Sequence, residues 1–406
     1  MKQQFLGAAA RILATLRPIF GRRRTFLIVS SDDTGSVGDQ AMTESIRSVV
    51  ADRYGYDVAL MHPAAISAPV ELLGPVRHLS KPETQEPASR LVKAWRRGVF
   101  HMARPNRFGF LGADVIDGCY SERKVLQILT LLDFLMKSGA SGRIFGASVS
   151  EARSANVMKR LGGLPGLTFN ARDPLSFSRF EDAAGRKAVP VADLAFNLTP
   201  KITSSMGQAA ADWVTGQKAA GQFILGANIN GYTVGQIEGD GPQAYVDLLS
   251  AWLSADPKRS VLILPHDGRP FPTGDIEPCQ ACFEALAPMF PDRVEMLRPP
   301  LKAWELKHLA GMADVVMSGR MHLAIAALGM GTPPLCVAYL NKFEGLFQLF
   351  GIEGLVVNPD TVADTDAMLA KLEELVSRRE ELEAAIEAKL PEVMALSLKN
   401  FDGLER

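Results

Sequence analysis

Cross-linking cysteine is scarce in this chain of 406 residues: it has four cysteines, too few for a disulfide framework and in keeping with a reducing cytoplasm. Cys279 and Cys282 form a lone CxxC. With no second pair at zinc-site spacing and no thioredoxin-like surroundings, it gives no reason to expect metal or redox chemistry. A run of 18 uninterrupted apolar residues is also missing, so no transmembrane helix is expected. Neither sign of charge is in surplus. Lys and Arg number 44 against 45 Asp and Glu, a formal net charge of -1, whereas a dedicated nucleic-acid binder is clearly basic. No RNA or DNA partner is therefore expected. Internal repeats and low-complexity segments are absent, and no GxGxxG fingerprint follows the first strand.

Acid is missing from residues 1 to 24, where Lys2, Arg11, Arg17, Arg22, Arg23 and Arg24 are cationic. Phe5, Ala9, Ile12, Leu13, Leu16 and Phe20 fall near helical spacing, while Arg11 breaks what would be the core of a secretory signal. The expectation is a basic amphipathic leader lying on an anionic inner-membrane surface, making a cytoplasmic protein peripherally membrane-associated. A frayed leader, or a helix packed on the body of the protein, is the alternative. A second basic stretch, Lys81 to Arg107 with Trp95 and Phe100, reads either as a solvated loop or as a face for an anionic glycan, a lipid-linked diphosphate or the membrane.

What is present is an alternation of short apolar strands and amphipathic helices, the pattern of α/β proteins with parallel sheets. Strands are expected at 25–30, 58–61, 113–116, 143–147 and 167–170, with a helix over 122–137. A second series begins after Pro200: helix 204–220, strand 223–228, helix 242–253, strand 261–265, helix 282–289, strand 294–297, helix 303–312 and strand 314–317. Length alone makes two domains the default. The expected division is a leader at 1–24, an N-terminal α/β domain at 25–200, a C-terminal α/β domain at 201–360, and a long charged helix at 361–406 packing back.

The stretch from Asp314 to Pro334, DVVMSGRMHLAIAALGMGTPP, carries the sharpest local signal. A strand leads into Ser318-Gly319, and a helix apolar on every side runs from Met321 to Leu328, with Arg320 and His322 at the turn. Two polar groups where a parallel strand ends and a helix start offers unpaired N–H donors suggest an anion pocket. The plainer alternative is an arginine capping a carbonyl beside a core histidine. At the other end, SSDDTGSVGDQAM places Gly35 and Gly38 where they permit close backbone approach, with Asp39 in the first turn of the next helix. His266 and Asp267 end a further strand.

These features belong together. GSVGDQAM (35–42) resembles the N-terminal Gly-Asp-x-Ala-[Ile/Met] signature of the polysaccharide pyruvyl transferase family. The stretch SGRMHLAIAALGMGTPPLCVAYLNKFEGLFQLFGI (318–352) resembles its C-terminal signature, Ser-x-Arg-x-His followed by a buried helix, Gly-x-Pro, a strand ending in Tyr339, and Lys342. FNARDPLSFSRF (169–180) is similar to the family's Arg-Asp-x-x-Ser segment, and VADLAFNL (191–198) to its Asp-x-Ala-Phe segment. One departure is ADVIDGCYSER, where family members carry a glycine-rich strand end and this chain keeps Gly118.

The resemblance implies two Rossmann-like domains facing across a cleft in a GT-B-like fold. It also implies transfer of the enolpyruvyl group of phosphoenolpyruvate onto a free or lipid-linked glycan, closing a pyruvate ketal in exopolysaccharide or cell-surface glycan biosynthesis. Arg320 and Arg172 would grip the donor's oxyanions, and His322 would protonate its methylene. Asp39 would activate or orient the acceptor hydroxyl, and Lys342 would balance donor charge. Gly35, Gly38, Ser318, Gly319 and His266 would line the substrates. No metal and no cofactor beyond the donor is expected. The competing readings are a GT-B nucleotide-sugar glycosyltransferase and a non-catalytic glycan-binding relative.

Overall fold

Strand after strand reads as a continuous apolar run, and runs of that kind form parallel sheets covered on both faces. The computed structural model describes residues 24–30, 35–61, 71–79, 106–338 and 343–405, together with Ala14 and Thr15. The basic leader, apart from Ala14, Thr15 and Arg24, lies outside the described residues, as does the basic stretch from Lys81 as far as residue 105.

The chain divides into two units. The first contains Met42–Leu194, the preceding strand and the residues from Leu396 onward; the second contains Gly35–Ala41 and Ala195–Ala395. This differs in two places from the division expected from the sequence, because two short segments join the unit remote from them in sequence.

In the first unit the strands are β1 (Thr25–Val29), β2 (Asp57–Met61), β3 (Arg77–Leu79), β4 (Arg107–Ala113), β5 (Ser141–Ala147), β6 (Leu167–Ala171) and β7 (Val189–Pro190). They form one sheet in the order β3-β2-β1-β4-β5-β6-β7, with every pairing parallel. Apolar side chains alternate between its two faces. Leu27, Phe108, Phe110 and Ile144 meet the Glu122–Lys137 helix on one side, while Phe26, Ile28, Leu111 and Phe145 pack with Met42, Ile46, Phe401 and Leu404 on the other. Residues 396–405 are thus built into this unit. The side chain of buried Asn400 accepts from Gly146 N (3.1 Å) and Asn170 Nδ2 (3.1 Å) and donates to the carbonyl of Ala192 (2.9 Å). Tyr56 donates its hydroxyl to the carbonyl of Leu404.

The strand expected at 113–116 is displaced. Its strand is Arg107–Ala113, and 114–120 form turns. Gly109 and Gly112 sit where a Cβ would fall 2.0 Å from the Phe145 ring and 2.5 Å from the Phe145 carbonyl. They let two strands and a large ring pack closely.

The second unit repeats the pattern with β8 (Phe223–Ala227), β9 (Arg259–Ile263), β10 (Val294–Met296), β11 (Val315–Ser318), β12 (Pro334–Val337) and β13 (Val356–Val357). Their order is β10-β9-β8-β11-β12-β13, again parallel throughout. Strand order reverses between β8 and β11, and in doubly wound sheets ligands gather outside the carboxyl ends at that point. Helix Met321–Leu328 follows β11 directly and is buried from Leu323 through Leu328, as its apolar character on every side requires.

The helix expected at 282–289 occupies Ile276–Leu286. The C-terminal helical region is broken into Pro359–Ala363, Thr365–Ser377 and the long Arg379–Leu398. Asp364 makes the first break: its carboxylate caps the second helix by accepting from Ala367 N (3.0 Å). Among the described residues no helix is long and apolar enough to cross a membrane.

Candidate active site

The site is built from the carboxyl ends of β8, β9 and β11. After β11, Ser318 Oγ accepts from Arg320 N (3.0 Å) and donates to the Arg320 carbonyl (2.9 Å), locking the tight turn that starts the Met321–Leu328 helix. Gly319 is required there because a Cβ would lie 2.7 Å from that of Asn230 and 2.9 Å from Thr233 Oγ1. Asn230 Nδ2 donates to the Gly319 carbonyl (2.6 Å), joining the β8 end to the β11 end across the reversal point.

Arg320 lies in a nest of carboxylates. Its Nε (3.1 Å) and Nη2 (2.6 Å) donate to Asp275 Oδ1, and a second Nη2 hydrogen bond reaches the Thr273 carbonyl. Nη1 lies 3.3 Å from Asp267 Oδ2. Asp267 also accepts from Arg269 Nε (2.9 Å) and Nη2 (2.5 Å). Two buried aspartates and two arginines therefore balance one another beside two imidazoles. His266 is buried, and burial, reinforced by His322 and Arg320, pushes its pKa well below the ordinary imidazole value. It is neutral at pH 7.

The N-terminal glycine motif comes to the same place. Gly268 N donates to the Gly35 carbonyl (2.9 Å), Ser36 forms an antiparallel bridge with Asp267, and Ala303 N donates to Gln40 Oε1 (2.6 Å). A Cβ on Gly35 would meet Arg269 Cγ at 2.4 Å, and one on Gly38 would meet His322 Nδ1 at 2.3 Å. Ser36 caps the Val37–Arg47 helix by accepting from Asp39 N (3.2 Å), and Asp39 is half-buried in that first turn. Two helix N-termini thus converge on the His322 ring, each contributing positive partial charge.

The structure therefore brings Gly35, Gly38, Asp39, His266, Ser318, Gly319, Arg320 and His322 into one unit. Arg172 belongs to the other unit, at the end of β6. It is buried there, donating from Nη1 to Asp193 Oδ2 (2.7 Å) and from Nε to Ser148 Oγ (2.7 Å). Burial opposes the charge on Arg172, but Asp193 and the neighbouring Asp114 and Asp173 outweigh it and keep the guanidinium firmly charged. Lys342 lies outside the described residues. Asp275 and Arg269 were not singled out from the sequence: both fall between the strand expected at 261–265 and the helix expected at 282–289.

The CxxC pair sits inside the Ile276–Leu286 helix, buried. Burial pushes the Cys282 thiol up to about 12 and that of Cys279 well above its usual value, with Asp275 adding to the latter. Among the described residues no three His, Cys, Asp or Glu side chains gather as a metal ion would need.

Solved structures with the same architecture include a putative UDP-N-acetylglucosamine 2-epimerase from Listeria monocytogenes, at 10% identity over 93% of this chain and 94% of that one with TM-score 0.58. The S. aureus MnaA–UDP co-structure matches at 11% identity over 89% and 90%, TM-score 0.55. WaaG, a glycosyltransferase involved in lipopolysaccharide biosynthesis, matches at 13% over 93% and 98%, TM-score 0.50. At such identities the likeness concerns the fold alone, which is GT-B-like, with two Rossmann-like α/β domains and a long C-terminal helix. No curated protein matches the sequence. The family model described as polysaccharide pyruvyl transferase matches residues 125–341, more than half the chain, and the protein belongs to that family.

Proposed function

We propose that this protein transfers the enolpyruvyl group of phosphoenolpyruvate to a sugar, forming a pyruvate ketal during synthesis of an exopolysaccharide or cell-surface glycan. The observation that carries this reading is the placement of His322 beside Arg320 at the reversal point of the second sheet, with the ring backed by Gly38. A donor bearing a phosphate and a carboxylate suits a place where two helix N-termini meet beside the Arg320 guanidinium.

In this reading His322, as imidazolium, gives a proton to the donor methylene. C2 becomes electrophilic, and one sugar hydroxyl adds to it as its own proton leaves to a base, for which Asp39 is the candidate. Departure of phosphate lets a second hydroxyl close the ketal, and its proton leaves with the phosphate. Arg320 stabilises the donor's negative charge as it moves onto the leaving group. Arg172 and Lys342 enter through the family motifs as further cations for the donor. The acceptor is a free or lipid-linked glycan.

The test is incubation of the full chain with phosphoenolpyruvate and a panel of free and lipid-linked glycans. Phosphate release and the product mass are followed, with nucleotide sugars in a parallel panel. A product bearing a pyruvate ketal is expected, and its formation should collapse in His322→Gln by about 100-fold or more while donor binding persists. Turnover of a nucleotide sugar with none of phosphoenolpyruvate would replace the reading with a glycosyltransferase. Donor-dependent thermal stabilisation without turnover would indicate a glycan-binding relative.

A further inference from the structure

Asp275 stands at the start of the Ile276–Leu286 helix, yet its carboxylate makes no hydrogen bond to that helix's own N–H groups. A carboxylate in this position ordinarily caps its helix. This one is fully buried and turned toward the site. Oδ1 accepts from Gly231 N (3.1 Å) and from Arg320 Nε and Nη2. Oδ2 accepts from His266 N (3.0 Å), Asn228 Nδ2 (3.0 Å) and Arg320 Nε (3.2 Å). The ends of β8, β9 and β11 are thereby tied to one side chain.

We propose that Asp275 is a positioning residue for the donor site, acting through Arg320; this inference rests on the proposed phosphoenolpyruvate reaction. Arginine has a planar fork on a flexible stem, and an unheld guanidinium must be ordered each time a ligand binds. Asp275 holds the Nε and Nη2 edge, and the Thr273 carbonyl takes the other Nη2 hydrogen. Nη1 is left as the part of the fork offered to the donor, with Asp267 alongside to orient it. A knot serving stability alone would affect both substrates equally when loosened. A positioning carboxylate affects the donor selectively.

The experiment compares wild type, Asp275→Asn, Arg320→Lys and the double variant as full-length protein, measuring kcat, KM for phosphoenolpyruvate, KM for the glycan and thermal melting. Asp275→Asn should raise the donor KM by about tenfold or more while leaving the glycan KM within about twofold. Arg320→Lys keeps the charge but loses the fork, so it should raise the donor KM to a similar degree. Adding Asp275→Asn to it should have little further effect. The inference is overturned if folded Asp275→Asn keeps the wild-type donor KM, or if the two effects multiply. Should Asp275→Asn fail to fold, Arg320→Lys decides: a wild-type donor KM there would mean that no oriented fork is needed, and a comparable rise supports the proposal. If wild type releases no phosphate from phosphoenolpyruvate, the proposed reaction itself fails and this inference falls with it.

Discussion

The imidazole of His322 occupies the space in which a side chain at Gly38 would stand, since a Cβ built there would lie 2.3 Å from Nδ1 and 2.7 Å from Cγ. Gly38 is the second residue of one helix and His322 the second of another. These residues come from the two terminal signatures of the sequence. Gly38→Ala should therefore displace the ring by about an ångström and reduce turnover on the order of 100-fold. Melting should change by only a few degrees, roughly, as small helix-start substitutions do. Activity and thermal unfolding measured together check this, and wild-type turnover in the variant would show that the ring does not reach the reacting atoms.

Arg172 and Asp193 form a buried pair in the first unit, each less than a twentieth exposed at the side chain. Removing one partner strands the other without water. Arg172→Ala or Asp193→Ala should each cost about 3–5 kcal/mol in denaturant unfolding, and the double variant less than the sum. Additive losses would mean that the pair is not a unit. Activity lost in Arg172→Ala has meaning only per folded molecule.

His266 sets a pH dependence. Burial, with help from His322 and Arg320, keeps its folded-state pKa well below 6.5, so the native protein holds it neutral while the unfolded chain takes up a proton below about pH 6.5. Its contribution to stability is complete above the unfolded value and declines as pH falls beneath it. The native state resists the proton that the unfolded chain accepts, so stability falls across this range. Unfolding curves from pH 7.5 to 5.5 should show this decline, with a shallower slope in His266→Gln. Equal slopes would place a proton acceptor elsewhere.

Thiol chemistry separates the cysteines. Cys279, Cys282 and Cys336 are buried and Cys119 is half-buried, and burial pushes the first three thiols up. A thiol reagent at pH 8 should modify Cys119 in the native protein and the other three only on unfolding. Rapid native labelling of Cys279 or Cys282 would revive a redox role for the CxxC.

Legibility in the sequence followed how local each determinant is. Helix Glu122–Lys137 was readable to the residue, because its apolar face has helical spacing and its bounds fall at Ser121 and Ser138. The turn bearing Arg320 and His322 was readable because strand, Ser-Gly and apolar helix are consecutive. The strand Arg107–Ala113 was placed several residues too late, and the fit of its two glycines against Phe145 depends on a neighbour some 35 residues away. Asp275 could not be read at all: 45 residues separate it from Arg320, and it falls ahead of the helix as the sequence placed it.

The stitching of Asn400, Phe401 and Leu404 into the first sheet has a consequence for biosynthesis. A ribosome finishes β1 through β7 early, but the material that seals one face of that sheet emerges only after the whole second unit has been translated. Nascent molecules must carry an open apolar surface through that interval, with Phe145 among the rings awaiting cover. Any message cut short ahead of Leu396 would leave that surface permanently uncovered, a mark by which a cell's proteases could distinguish the fragment.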